Sequence, residues 1–155
     1  MRKTAMPSAA LWLTLSGLIP FVAPAVFLGV VGADPLLREQ VALCLLVYSA
    51  VILSFLGGVR WGAEIGALAD GEGPRASLLA LSVLGSLAGW ALVLLAAFGA
   101  LYWQALALSA LAHALHAYWD IRSTDLAPWF RRLRLIAATG AALSLALAAA
   151  VYALR

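Results

Sequence analysis

The chain has 155 residues, 65% of them apolar and only 11% charged, and its mean hydropathy is +1.01. So few polar groups could not cover the surface of a soluble domain, whereas lipid tolerates them, so the composition excludes an ordinary soluble fold. The net charge of +3 sits on basic residues at the ends of apolar runs, where it orients a membrane protein rather than recruiting nucleic acid, and a single cysteine, Cys44, excludes an internal disulfide or CxxC site.

Residues 76–119 contain no Asp, Glu, Lys or Arg, and neither do residues 4–33, 40–59 and 135–154. A hydrocarbon core about 30 Å thick takes about 20 apolar residues at 1.5 Å each, so the longest run holds two helices and the others one apiece. The expected fold is all-α: one polytopic membrane domain, residues 1–155, with five transmembrane helices in a compact bundle at about residues 8–31, 39–67, 76–97, 102–121 and 132–154.

Span one follows Arg2 and Lys3 and ends near Val31-Gly32-Ala33, which imitates a secretory signal. Its apolar run exceeds the roughly 7 to 15 residues of a signal core, so it is expected to stay as a span. Pro20 and Pro24 each remove a backbone donor, which predicts a kink or break within residues 19–25. Gly32, Asp34 and Pro35 then form a short loop. Span two is longer than a membrane needs, so its tail past Arg60 is expected at the interface or in water, and Asp70-Gly71-Glu72-Gly73-Pro74 is a turn built of breakers and charges.

Spans three and four make a hairpin around Gly99, with Tyr102 and Trp103 as its interfacial anchors. The main polar loop covers residues 122–132, where Asp125 would cap and Pro128 would open the helix of span five. Its Trp129 and Phe130 suit the interface and its arginines suit lipid phosphates, which makes anionic lipid at the cytoplasmic face an expected partner. Arg2, Lys3, Arg60, Arg75, Arg122, Arg131, Arg132 and Arg134 fall on one side and only Arg38 and Arg155 on the other. The positive-inside rule therefore predicts a cytoplasmic N-terminus and a periplasmic C-terminus.

Polar residues inside the spans are the candidates for function. In span two, Ala50, Ser54, Gly58, Gly62 and Gly66 place a small residue at every fourth position, on one face, where a neighbouring backbone can approach closely. Packing within the bundle is the first reading of this ladder, and a homodimer or another membrane protein the second. Shorter versions are Gly85 with Gly89 in span three and Gly140, Ser144 and Ala148 in span five.

In span four, Ser109, His113, His116 and Asp120 form a single polar stripe. With residue 111 at mid-span, His113 lies roughly 3 Å from the bilayer centre and Asp120 roughly 13 Å toward the cytoplasm, a depth at which ionisable groups face the bundle interior or a ligand. Two histidines one turn apart on one helix cannot be opposite axial ligands of a haem, and no other helix carries a histidine, so no metal and no cofactor is expected. Hydrogen bonds to neighbouring helices are the first reading of the stripe, and a proton or quinone site the alternative. Arg60 and Glu64 at the end of span two, Asp120 and Arg134 all fall at one level. An ion pair of Asp120 with Arg60 or Arg134 is the structural reading there, an anionic head group or substrate the functional one. No GxSxG, Walker loop, HExxH or paired carboxylates occur, so no enzyme is expected.

The segment Ser54-Phe55-Leu56-Gly57-Gly58-Val59-Arg60-Trp61-Gly62 resembles a family of small bacterial membrane proteins of unknown function, whose eukaryotic members are called transmembrane protein 69. Gly17-Leu18-Ile19-Pro20-Phe21, residues 48–53, and Asp120 followed by Pro128-Trp129 and Leu133-Arg134-Leu135 agree with it. The resemblance implies a multi-span protein of the bacterial inner membrane with mitochondrial relatives and no established activity, and it favours Arg60 and Asp120 as the residues that matter. The resulting expectation is an accessory subunit or assembly factor of a membrane complex. The alternative is a small carrier or lipid- or quinone-binding protein with a cytoplasm-facing polar site.

Overall fold

The computed structural model describes residues 6–30, 34–66, 73–122 and 127–154. Within them the chain is all-helical: α1 (Ser8–Val30), α2 (Pro35–Gly66), α3 (Ala76–Gly99), α4 (Tyr102–Arg122) and α5 (Pro128–Ala153). By length and composition, α1, α2, α3 and α5 suffice to cross a membrane. The expected fifth span, α4, is not among these; it has 21 residues, but Gln104, His113, His116 and Asp120 lower its apolar content.

Local chemistry sets the helix boundaries. Asp34 accepts a hydrogen bond from the Leu37 backbone N–H (3.2 Å), and Pro35 supplies the fixed φ of a first helical position, so α2 begins four residues ahead of the expected start. Pro128 opens α5 in the same way, ahead of residue 132. The Asp125 cap, the Asp70-Gly71-Glu72 part of the expected turn and Gly32 lie outside the described residues. The α3–α4 hairpin turns around Gly99 as expected, and the left-handed conformation falls on the next residue, Ala100, φ 53°, whose N–H returns to the Ala96 carbonyl.

The expected break in span one does not occur, because α1 runs through Pro20 and Pro24 as one helix. Its buried residues Phe21, Ala25 and Leu28 follow Pro20 and flank Pro24, and the turn ahead of Pro20 is held from two sides, with Leu18 against Gly140 of α5 and the Tyr48 hydroxyl of α2 donating to the Gly17 carbonyl (2.9 Å). Tertiary packing thereby replaces the support that the missing donors remove.

The most extensive contacts pair α2 with α3 and α4 with α5, and α1 lies across α5 and α2. The core forms where they converge: Phe21 and Leu28 of α1, Leu45 and Leu46 of α2, Leu106 of α4 and Leu145 of α5 are almost wholly enclosed. α2 and α3 approach backbone to backbone. A Cβ placed on Gly57 would overlap the Ser82 carbonyl oxygen, one on Gly85 would lie 3.0 Å from the Leu53 oxygen, and one on Gly89 would lie 2.7 Å from Ala50 Cα. Such contact without side chains is how helices associate where lipid removes any hydrophobic drive between them. The expected ladder divides: Ala50 packs against Gly89 of α3, whereas its last three members face elsewhere. Gly58, Gly62 and Gly66 are exposed, and a Cβ on any of them would meet nothing within 4 Å among the described residues; Ser54 bonds Ser86 of α3 (3.1 Å) at the edge of the contact.

Candidate functional site

The 109, 113, 116, 120 spacing of α4 projects four polar side chains from one face, and all four are buried. They meet α2 in two polar rungs. At the deeper rung, Ser49 Oγ lies 2.6 Å from Ser109 Oγ and 2.9 Å from His113 Nε2. At the other, Asp120 Oδ1 accepts from Arg60 Nε (2.7 Å). The interval from Ser49 to Arg60 equals that from Ser109 to Asp120, so α2 and α4 run parallel and in register over about 16 Å.

Asp120 ties α5 into the same rung, because its Oδ2 accepts from Arg134 Nε (2.5 Å). Arg60 further donates to the Trp119 carbonyl (3.2 Å) and places its guanidinium 4.7 Å from the Trp119 ring centroid. Arg60, Asp120 and Arg134 are 7%, 3% and 5% exposed. Three helices thus converge on one carboxylate whose two oxygens are both engaged, in charge-assisted bonds stronger than neutral ones. Burying these charges is expensive, so the attraction within the triad is offset by the cost of desolvating its members. Its formal charge is +1, and Arg134 Nη2 is buried without a hydrogen-bond partner among the described residues.

Glu64, expected at the same level, belongs to a different pair. Its carboxylate accepts from the Arg75 backbone N–H (2.6 Å) and from Arg75 Nε and Nη2 (both 3.0 Å), which clamps the end of α2 to the start of α3. Glu64 is buried, whereas the Arg75 side chain is half exposed. His116 packs edge-on against Trp119, with ring centroids 5.4 Å apart, and its Nε2 is buried with no hydrogen-bond partner among the described residues. His113 is enclosed by Ser49 and by the edge of Phe21, at 5.4 Å between ring centroids.

A groove of about 330 Å³ opens between α1, α2 and α5. Its walls are apolar, from Ala10, Leu13, Leu18 and Phe21 to Phe55, Leu56, Phe130 and Ala141, and its polar lining includes Thr14, His113 and Arg134. No group of three or more His, Cys, Asp or Glu that could hold a metal occurs among the described residues. The chemistry within reach is hydrogen bonding and anion recognition by guanidinium, since the carboxylates of Asp120 and Glu64 are already engaged.

The structure therefore joins Arg60, Asp120 and Arg134, keeps His116 beside them through Trp119, joins His113 to Ser49, and leaves Glu64 in a separate pair. Sequence reasoning missed Ser49, Gly57, Arg75 and Trp119. Gly57 had a signal in the small residues Ser82 and Gly89, spaced to share a face of α3; Ser49 had none, being one hydroxyl in an apolar run.

Comparison with known proteins follows the same lines. Residues 6–150 match the family described as "Protein of unknown function (DUF3429)". The chain is 37% identical over 140 residues to transmembrane protein 69 of Xenopus tropicalis, which covers 90% of this chain and 53% of that protein. It is 44% identical over 57 residues to transmembrane protein 69 of Mus musculus, which covers 36% of this chain and 22% of that protein. The chain thus spans about half the length, or less, of the curated relatives it matches. No solved structure matches it. With its apolar helices, and with a family match over nearly its whole length, the chain is a membrane protein that belongs to the DUF3429 family of unknown function, to which transmembrane protein 69 is related.

Proposed function

We propose that this protein works without catalysis, as an accessory subunit or assembly factor that holds a larger membrane complex together through helix contacts. In this reading α4 crosses as a fifth span, the N-terminus is cytoplasmic and the C-terminus periplasmic, and the membrane is the bacterial inner membrane. Neither nucleic acid nor a cofactor takes part. The observation that carries it is the outward direction of the last three positions of the α2 ladder: Gly58, Gly62 and Gly66 form a side-chain-free stripe that the bundle's own described residues leave uncovered. Such a stripe lets a second backbone approach closely, be it another membrane protein or a second copy of this chain. Engagement of the two buried carboxylates in ion pairs supports the same reading, because neither is left to move protons.

Purification from native membranes in mild detergent, followed by mass spectrometry, tests it. The expected result is a reproducible partner or a second copy, lost in Gly62→Leu while the unfolding temperature stays unchanged. Recovery of a lone monomer contradicts it.

The groove supports a second reading, a small lipid- or quinone-binding protein, since it presents Arg134 and His113 to an apolar space. The solvent-open cavity between α2, α4 and α5 that a carrier would use is occupied instead by the closed triad, which favours static binding over transport. Bound lipid or quinone in native extracts, reduced by Arg60→Ala or Asp120→Ala, is its expected signature; unchanged content in both variants contradicts it.

A further inference from the structure

The groove between α1, α2 and α5 runs along α5 from Phe130 to Ala141, about 16 Å at 1.5 Å per residue. Arg134 lines it about 6 Å from the Phe130 end, on the arginine-rich side of the bundle, and beyond Arg134 the walls toward Phe21 and Ala141 are apolar. One guanidinium nitrogen of Arg134 is held by Asp120, while Nη2 is enclosed in a residue only 5% exposed and has no acceptor among the described residues. A buried donor without a partner is uncommon and destabilising, doubly so on a cation. The carboxylate partner of Arg134, Asp120, is shared with Arg60. The missing acceptor is therefore best supplied by an anion.

We propose that this groove is a binding site for an anionic phospholipid, with the phosphate on the Arg134 guanidinium where it lines the groove and one acyl chain laid along the apolar wall toward Phe21 and Ala141. This rests on the lipid-binding reading and adds the head-group class and the residue that selects it. The orientation agrees with the bilayer, because the charged end points to the interface beside Trp129 and Phe130 and the apolar end points inward. A quinone head, being neutral, would offer the Arg134 cation no charge-assisted bond. A charge-assisted bond supplies the stated selectivity.

The test exchanges the full-length protein into vesicles of equal parts phosphatidylglycerol and phosphatidylcholine and measures retained lipid by native mass spectrometry. Wild-type protein is expected to hold phosphatidylglycerol over phosphatidylcholine by about tenfold, as one charged hydrogen bond predicts. R134Q is expected to retain both equally. Because R134Q removes half of the Asp120 bracing, two variants that keep the triad and fill the groove from opposite walls, T14W and A137W, serve as the second arm and are expected to retain neither lipid. Equal retention of the two lipids by wild-type protein overturns the anionic site but leaves the lipid-binding reading standing. Retention by the filled-groove variants at the wild-type level, or capture only of added free oleate or quinone, overturns the proposal. Loss of all lipid retention by wild-type protein overturns both readings.

Discussion

Gly57 of α2 meets the carbonyl of Ser82 of α3 so closely that no side chain fits between them, whereas Gly58, the next residue, faces open space. Two adjacent glycines thus have opposite jobs: one lets the bundle close, and the other lies on its outer face. Gly57→Ala is expected to destabilise the fold by about 1–3 kcal/mol through overpacking. Gly58→Ala is expected to leave stability unchanged or raise it by up to about 1 kcal/mol, because alanine is the better helix former. Thermal unfolding of both variants in one detergent checks the difference.

Asp120 is the single acceptor shared by Arg60 and Arg134. Asp120→Asn removes the counter-charge and leaves two guanidinium groups enclosed, so a loss of about 3–5 kcal/mol is expected. Replacing all three at once, as Arg60→Met, Asp120→Leu and Arg134→Met, is expected to recover most of that loss, since well-packed apolar groups replace buried ion pairs at little or no net cost. Denaturant unfolding in detergent checks this, and a triple variant less stable than Asp120→Asn would show that the triad contributes net stability.

Ser49 serves both Ser109 and His113. Interhelical hydrogen bonds in membranes are weak individually, about 0.6 kcal/mol on average and about 1.7 at most, so Ser49→Ala is expected to cost within that range. A double-mutant cycle of Ser49→Ala with Ser109→Ala is expected to give less than the sum of the single losses, because the two residues share one bond. Additive losses would argue that the rung does not form.

Ala100 holds a left-handed turn that a residue with a Cβ adopts only at about 1–2 kcal/mol. Ala100→Gly is therefore expected to stabilise the hairpin by up to about 1 kcal/mol, measured as a raised unfolding temperature. An unchanged or lowered temperature would place the turn elsewhere.

Much of the fold was legible because a bilayer demands length and apolarity, and residues 8–30 or 76–99 announce both. The Arg60, Asp120 and Arg134 level was legible for a related reason: charges in an apolar chain fall at few depths, so those at one depth meet. The direction of the α2 ladder was not. Spacing of four defines a face but not what it faces along its whole length: Ala50 and Ser54 do meet α3, whereas further along the contact passes to Gly57, one residue round the helix, and leaves Gly58 outside. Glu64 was misplaced for a similar reason, since its partner Arg75 comes from the start of the next helix, on the far side of the connecting segment. Pro20 and Pro24 predict a kink or break from local chemistry alone; the helix nevertheless continues through both, with Phe21, Ala25 and Leu28 packed in the core.

The central claim is that the outer face of α2 contacts a partner helix, and cross-linking in native membranes tests it most directly. In a Cys44→Ser background, single cysteines are placed at Gly58, Gly62 and, as a control on exposed Leu147 of α5, at position 147. Positions 58 and 62 are expected to cross-link to one reproducible protein or to a second copy of the chain, and position 147 is expected not to. Cross-links absent at both 58 and 62, or equally abundant at 147, would contradict the account.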